Sequence, residues 1–172
     1  MADTDGTIQW YAPDPRAIFP LDTVGPNARF RRFLRNSELS CTVDQAFEEV
    51  IGHCATVHGE SWIDSRIIGA YTALHHMGHA HSVETWQGDH LVGGVYGVSL
   101  GGVFFGESMF SLVPNGSKVA FYYLVEQLKE RGFLLFDTQF LNDHTASLGA
   151  IEIPQAAFTS MLARALSSPI SF

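Results

Sequence analysis

Three neighbouring apolar segments in the middle of this 172-residue chain constrain its fold more than any other feature. Residues 80–86, 91–98 and 103–110 are rich in β-branched and aromatic side chains, and glycine-containing connections at 87–90 and 100–102 join them. Short glycine-containing links between strands are typical of β-hairpins, so the three segments predict an antiparallel meander. Several more glycines lie within the strands themselves, which indicates bulges, sheet curvature or close approach of a ligand to the backbone.

Segments with helical spacing flank this meander. Before it, the pattern predicts a helix capped by Thr42 or Asp44 that ends near residue 57, and a second helix over residues 63–76. After it, we expect a helix over 117–131, a strand over 133–139, a short strand at 150–153 and a last helix after Pro154. This order predicts an α+β domain with a mixed, mostly antiparallel sheet flanked by helices.

The first 28 residues differ from the rest in their proline content. Four prolines in this segment predict an extended arm, with Trp10 and Tyr11 as large anchors that dock the arm onto the body. We therefore divide the chain into an arm over residues 1–28 and a single domain over residues 29–172.

Composition narrows the class of protein. Hydrophobic residues make up 46% of the chain, but no apolar run is long enough to predict a membrane-spanning helix. The acidic first residues lack a hydrophobic signal core, and Cys41 and Cys54 lack the spacing of a disulfide or metal framework. We expect a cytoplasmic monomer without a membrane partner.

A basic cluster stands out against a net charge of −8, which by itself disfavours a nucleic-acid partner. Four of the ten Lys and Arg residues lie close together, at Arg29, Arg31, Arg32 and Arg35. Such a cluster either contacts a few phosphates, with strong dependence on salt, or forms a solvated basic face. The pattern alone leaves both interpretations open.

The run from residue 133 to residue 150 carries the clearest signal for chemistry. An apolar strand delivers Asp137 and Gln139 two residues apart, which places them on the same face, and a turn rich in Asn, Asp, His, Thr and Ser follows. A carboxylate beside an amide suits proton handling or amine binding. A strand end with its polar cap has the same pattern, so both interpretations stay open.

Glu107 lies near the end of another strongly apolar strand. There it is either a carboxyl with a raised pKa that faces a cleft, or a solvent-exposed strand end. The nearby histidines, His75, His76, His79 and His81, straddle a predicted helix end and a strand start, and their spacing lacks the pattern of a helical metal site. We expect these imidazoles to diverge and predict no metal site.

A series of short motifs runs in order from about residue 10 to residue 158. The most specific are Trp10-Tyr11-Ala12-Pro13-Asp14-Pro15-Arg16, Phe105-Gly106-Glu107-Ser108-Met109-Phe110-Ser111, Asp137-Thr138-Gln139 and Leu141-Asn142-Asp143-His144-Thr145-Ala146-Ser147-Leu148-Gly149-Ala150. With them the chain resembles the bacterial leucyl/phenylalanyl-tRNA–protein transferases, in a short form that lacks most of the N-terminal lobe.

The resemblance implies a GNAT-like N-acyltransferase fold that uses an aminoacyl-tRNA as donor and needs no cofactor. Leucine or phenylalanine, sometimes methionine, would be moved onto the N-terminal amine of a protein that begins with Arg or Lys, which creates an N-degron. The chain begins almost at the Trp-Tyr motif, whereas family members carry a longer lobe before it. We therefore expect tRNA affinity or donor choice to differ from the family pattern.

The resemblance also assigns residues. It makes Asp137 and Gln139 the catalytic pair, where Gln139 would orient the attacking amine and Asp137 would polarise it or relay its proton. Glu107 would bind the acceptor's amine or its cationic side chain. The predicted substrate-binding residues are Trp10, Tyr11, Trp86, Val95, Phe104, Met109, Phe121, Leu124 and Leu128. The predicted RNA contacts are Arg29, Arg31, Arg32, Arg35 and Lys118.

Two alternatives to this function stay open at the level of sequence. One is a transferase of the same fold with a different aminoacyl donor or amine acceptor. The other is a non-catalytic domain that binds basic N-termini through Glu107 and Asp137.

Overall fold

The computed structural model describes residues 11–57 and 62–172, which form a seven-stranded sheet with helices on its faces. The strands are β1 (Arg16–Phe19), β2 (Leu39–Val43), β3 (Ala80–Gln87), β4 (His90–Leu100), β5 (Val103–Ser111), β6 (Leu135–Gln139) and β7 (Ile151–Ile153). The helices are α1 (Ala28–Asn36), α2 (Phe47–Thr56), α3 (Ser65–His76), α4 (Gly116–Glu130), α5 (Asp143–Leu148) and α6 (Gln155–Leu166).

The strand order is β2-β3-β4-β5-β6-β1-β7. Neighbouring strands run antiparallel except β5 and β6, which are parallel because α4 connects them as a crossover. The predicted α+β class, with a mostly antiparallel sheet flanked by helices, is confirmed. Strand β1 comes from the segment predicted as an arm, and it lies inside the sheet between β6 and β7.

Helix α4 covers one face of the sheet and supplies the largest apolar cluster, in which Phe121 packs against Phe19 and Phe136. Helices α2 and α3 cover another part around Tyr96, and α6 packs on a third cluster that contains Phe158. The start of α4 lies against β4 so closely that a Cβ at Gly93 would collide with the backbone of Gly116. That glycine is therefore needed for close helix–sheet packing rather than for a turn.

The helix predicted from Thr42 or Asp44 begins later, at Phe47. Residues Leu39–Val43 are instead the edge strand β2, which pairs with β3 over its whole length. Asp44 does not cap a helix, because its φ of 57° turns the chain and its carboxylate accepts a hydrogen bond from the Ser82 amide at 2.8 Å. The pairing with β3 overrides the local helix signal.

The polar turn after β6 contains a helix, α5, that the sequence pattern did not predict. Asn142 accepts a hydrogen bond from the Thr145 amide at 2.9 Å, and the Thr145 hydroxyl accepts one from the Asn142 amide at 3.0 Å. This capping box starts the helix, and Gly149, with a φ of 103°, ends it. Six residues are too few for an apolar period to be visible in the sequence.

None of the helices in the described part of the chain is long and apolar enough to cross a membrane.

Candidate active site

A cavity of about 960 Å³ lies between helix α3, strand β5 and the polar segment that follows β6. Helix α3 contributes Ile67 and Tyr71 to its wall, β5 contributes Glu107 and Met109, and the end of β6 contributes Gln139. Glu107, Asp137 and Gln139, which the family resemblance assigns to the site, thus lie on two neighbouring parallel strands. They lie at the carboxyl end of the stretch over which β5 and β6 pair. A pocket at this position is the size of a small-molecule site.

One part of the cavity is apolar. Phe19, Val95, Phe110 and Phe136 are buried side chains that line it, and Met109 adds a partly buried thioether. The His144 ring lies 3.1 Å from the Met109 sulfur, so helix α5 closes this side of the wall. Such a wall can exclude water from a hydrophobic side chain.

Glu107 gives the cavity its one carboxyl group among the described lining residues. Burial raises the pKa of Glu107 to about 7 and is the largest influence on it, while the Asp137 charge also raises that pKa. A hydrogen bond from the Tyr71 hydroxyl and the Arg16 charge lower the pKa of Glu107 in part. The carboxyl therefore changes charge in the physiological pH range, where it can bind a cation or exchange a proton.

Asp137 is fully buried, at 0% exposure, and is not among the described residues that line the cavity. Arg16 donates to both of its oxygens, from Nε to Oδ1 at 2.9 Å and from Nη2 to Oδ2 at 2.6 Å. Gln139 also donates to both, from its backbone N to Oδ1 and from Nε2 to Oδ2, each at 3.1 Å. These four donors occupy the roughly four acceptor positions of an ionised carboxylate.

Gln139 occupies an unusual backbone conformation for a residue with a side chain. Its φ is 62°, and the Phe140 amide donates to the Thr138 carbonyl at 2.7 Å across it, which closes a tight three-residue turn. Left-handed φ values cost residues other than glycine about 1 kcal/mol or more, and they concentrate at functional sites. The turn brings the Gln139 side chain to the cavity wall while its amide stays bonded to Asp137.

Residues 18–163 match the family model described as leucyl/phenylalanyl-tRNA protein transferase. The chain belongs to this family. A leucyl/phenylalanyl-tRNA–protein transferase of Salinibacter ruber is 50% identical over 96% of this chain and 74% of its own length. Those of Chlorobaculum parvum and Gloeobacter violaceus are each 47% identical over 100% of this chain, and over 91% and 89% of their own lengths.

The predicted family and the predicted enzyme class, an aminoacyltransferase, are therefore confirmed. Among solved structures, AAC(6')-Iy in complex with the bisubstrate analogue CoA-S-monomethyl-acetylneamine is similar with a TM-score of 0.47 and 14% identity. That similarity covers 73% of this chain and 90% of that chain.

The predicted substrate-binding residues of this transferase lie in three different surroundings: on the cavity wall, outside that wall, and in the core. Tyr11, Val95 and Met109 line the cavity. The indole of Trp86 donates to the Thr42 hydroxyl at 2.7 Å, outside the described lining. Four others are fully buried in the core, namely Phe104, Phe121, Leu124 and Leu128. Trp10 lies outside the described residues. The role of all nine in binding the donor stays a prediction.

The predicted RNA contacts of the transferase also separate into groups. Helix α1 carries all four arginines, exposed to solvent. Arg29 and Lys118 line a second cavity of about 360 Å³ together with the helix caps Asn27 and Asn115. Arg31 donates to the Pro26 carbonyl at 2.7 Å, which ties it to the loop before α1.

Three residues with a place in the site were not predicted. Tyr71 lies in the segment predicted as a helix over residues 63–76, and its bond to Glu107 depends on a contact between α3 and β5. Trp62 lines the cavity from the segment before α3. Arg16 binds Asp137 across 121 positions of sequence. Two signals for Arg16 were available: it ends the motif Trp10–Arg16, and it is the one basic residue among the first 28.

Two of the histidines expected to diverge, His75 and His81, instead meet at the Asp44 carboxylate, with their Nδ1 atoms 3.9 and 2.7 Å from its two oxygens. His75 also stacks on Phe47 at 4.3 Å, and His81 packs against Phe172. In residues 11–57 and 62–172, no group of three or more His, Cys, Asp or Glu side chains is arranged so that it could hold a metal ion.

Proposed function

We propose that this transferase moves leucine or phenylalanine, and also methionine, from aminoacyl-tRNA to the N-terminal amine of proteins that begin with Arg or Lys. The product carries a new hydrophobic N-terminus, which acts as an N-degron. The observation that carries the proposal is one cavity whose wall joins an apolar surface to Glu107 and Gln139.

The apolar part of the cavity suits the side chain of the donor amino acid. Val95, Met109 and Phe136 offer flat and flexible apolar surface without a charged group. Because one methylene changes binding by only about 1–3 kcal/mol, such a wall accepts Leu, Phe and Met with modest discrimination. The flexible Met109 thioether helps the wall adapt to these different shapes.

The polar part of the cavity suits the acceptor. The reaction is attack of a neutral amine on the ester carbon of the aminoacyl-tRNA: a C–N bond forms, the C–O bond to the terminal ribose breaks, and the amine's proton leaves with that oxygen or with solvent. The pKa of an α-amine is about 7.7–8, so a useful neutral fraction exists near pH 7. An ionised Glu107 attracts the cationic side chain of an N-terminal Arg or Lys, which favours these residues at the acceptor's first position.

Gln139 and Asp137 have different tasks in this proposal. Because Gln139 donates Nε2 to Asp137, its Oε1 is the end left to accept a hydrogen bond from the attacking amine. That bond orients the nitrogen lone pair and stabilises the positive charge that develops on nitrogen during attack. Asp137 holds Gln139 in place and does not itself reach the amine, since its oxygens already have four donors.

The donor's RNA is expected to bind at the cleft between α1 and the start of α4. Arg29 and Lys118 lie on its wall. The N-terminal ends of α1 and α4, which carry partial positive charge, also lie at this cleft, since both N-caps, Asn27 and Asn115, line it. We expect charge reversal of Arg29 and Lys118 together to weaken donor tRNA binding about tenfold or more and to reduce its salt dependence by one to two phosphate contacts.

Titration of labelled tRNA at several salt concentrations measures this effect. The matched control reverses two charges as well, at Arg131 after α4 and Arg164 on α6, both exposed. It should leave the affinity and its salt slope close to those of the unchanged protein. Equal weakening by both changes would point to net charge alone and contradict the cleft assignment.

A direct test of the function combines the protein with leucyl-tRNA or phenylalanyl-tRNA and a peptide that begins with Arg. Mass spectrometry of the peptide then reports whether one leucine or phenylalanine has been added at its N-terminus. Two control peptides separate the features of the acceptor: the N-acetylated form lacks the nucleophile, and a form that begins with Ala lacks the cation.

Addition to the Arg peptide alone supports the proposal. Addition to the Arg and Ala peptides at equal rates would contradict the proposed acceptor preference. Binding of the Arg peptide without any transfer would instead favour a non-catalytic binder of basic N-termini.

A further inference from the structure

We propose that Arg16 is a positioning residue for aminoacyl transfer: through a two-pronged ion pair it holds Asp137, and through Asp137 it fixes the orientation of the Gln139 amide. This inference rests on the proposed function of Gln139. It assigns a role to Arg16 in β1, a strand whose Phe19 lines the cavity while Arg16 is not among the described lining residues.

The ion pair is built for orientation rather than for charge alone. Arg16 uses two different nitrogens, Nε and Nη2, at 2.9 and 2.6 Å from the two Asp137 oxygens. The Arg16 side chain is 12% exposed and the Asp137 side chain 0% exposed, so water does not compete freely for either group. A planar guanidinium fixes the plane of the carboxylate that it grips, which a single ammonium group cannot do.

Other contacts fix Arg16 itself. Its guanidinium carbon lies 4.7 Å from the centre of the Phe158 ring on α6, and stacking of this kind holds a guanidinium plane. Strand β1 sits between two partners, with Ala17 opposite Gln139 on β6 and Arg16 opposite Ile153 on β7. The backbone of Arg16 is thus anchored beside the end of β6, where the tight turn begins.

From Asp137 the orientation passes to the cavity. With Arg16 on one side of the carboxylate, the remaining acceptor sites of both oxygens are used by the Gln139 backbone N and by Nε2, each at 3.1 Å. This arrangement fixes which end of the Gln139 amide is nitrogen and which is oxygen. If the carboxylate rotated, Gln139 could present Nε2 to the amine, and two donors would then face each other.

The test is substitution of Arg16 by Lys, which keeps the charge but removes the two-pronged geometry. We expect kcat to fall about tenfold or more, as for other residues that orient a functional group, while the KM values for donor and acceptor stay within about twofold. Arg131→Lys is the matched control, because the exposed Arg131 lies at the end of α4 and bonds the partly exposed Gln127, and it should keep the original kcat.

A spectroscopic measurement separates positioning from general structural support. The side-chain amide signals of Gln139 are identified in a ¹⁵N spectrum by their loss in the Gln139→Ala protein. In Arg16→Lys these signals should move toward those of a free glutamine, while the backbone amides of β3 and β4 stay unchanged. The unchanged protein gives a check that needs no variant: its Gln139 side-chain amide should exchange with solvent more slowly than that of the exposed Gln87.

The outcomes are distinct. Lower kcat with shifted Gln139 signals supports the inference. Unchanged kcat in Arg16→Lys, a rise in KM alone, or Gln139 side-chain signals like those of a free glutamine in the unchanged protein would overturn it. Absence of transfer by the unchanged protein would instead defeat the proposed function, and the exchange measurement would still report on the Arg16–Asp137–Gln139 connection.

Discussion

Two carboxyl groups on neighbouring strands, Glu107 on β5 and Asp137 on β6, show how surroundings assign different tasks to the same chemical group. Asp137 is fully buried and accepts four hydrogen bonds, two of them from a guanidinium. Glu107 lines the cavity with a tyrosine hydroxyl as its donor, and its pKa is raised to about 7. Asp137, whose oxygens all have donors, can only orient the residues bonded to it, whereas Glu107 can contact a substrate and change its charge.

The largest expected effect comes from loosening the saturated carboxyl. Asp137→Asn keeps the shape but replaces one oxygen by NH₂, which cannot accept from Arg16 or Gln139. We expect kcat to fall about 100-fold with donor binding nearly unchanged, because the transition state loses its oriented amide while the apolar pocket stays intact. Single-turnover transfer and donor titration measure the two quantities.

The control for this change is Asp89→Asn, in the exposed β3–β4 turn, which should leave both quantities as they were. If Asp137→Asn weakened donor binding as much as it slowed transfer, the division of tasks between the two carboxyls would fail.

The second effect depends on pH and concerns Glu107. Its ionised form predominates above pH 7 and is reduced to about a tenth at pH 6, so attraction for a cationic acceptor weakens as the pH falls. Glu107→Gln has no charge at either pH. Its deficit in kcat/KM for an Arg peptide should therefore be about tenfold smaller at pH 6 than at pH 8.

Initial rates with Arg-starting and Ala-starting peptides check this expectation. The Ala peptide serves as the control, since it lacks the side-chain cation and should show a much smaller change with Glu107→Gln. An equal deficit for both peptides at both pH values would indicate a purely structural role for Glu107.

The smallest expected effect is a difference in stability, and it concerns the tight turn at the end of β6 that carries Gln139. With a φ of 62°, this position strains any residue with a side chain. Gln139→Gly and Gln139→Ala both lose the side-chain amide, but the glycine protein should be about 1 kcal/mol more stable than the alanine protein. Both should also lose transfer to about the same extent as Asp137→Asn, since none of the three proteins has an oriented Gln139 amide.

Urea unfolding of the pair measures the difference directly, because the two variants lack the same bonds to Asp137. An alanine protein as stable as the glycine protein would mean that the turn relaxes after substitution and stores no strain.

The sequence predicts the contacts between residues close in sequence better than the long-range contacts of the two carboxyl groups. Period-two spacing was enough to put Asp137 and Gln139 side by side, and glycine-containing links were enough to predict the β3–β4–β5 meander. Arg16 could not be predicted as the partner of Asp137, because the pairing of β1 with β6 joins residues 121 positions apart. The Tyr71 contact with Glu107 likewise depends on packing between a helix and a strand.

Local signals also failed where tertiary pairing decides the outcome. The segment Leu39–Val43 became an edge strand because β3 offers it a partner, and α5 formed from a capping box within a run that looks like a polar turn. Residues such as Phe104 and Val95 belong to the same apolar cluster and have similar sequence surroundings, yet only Val95 of the two lines the cavity. Sequence spacing predicts that such residues are buried but not which cavity they face.

The measurement that tests the account most directly is the pH dependence of kcat/KM for an Arg peptide in Asp137→Asn and Glu107→Gln, measured side by side with the unchanged protein. The account predicts that Asp137→Asn lowers the whole curve and moves the Glu107 limb to lower pH, because the charge that helps to raise the pKa of Glu107 is gone. Glu107→Gln should instead remove the limb near pH 7 and leave that of the peptide amine. Loss of the limb near pH 7 in Asp137→Asn, together with an unchanged curve in Glu107→Gln, would contradict it.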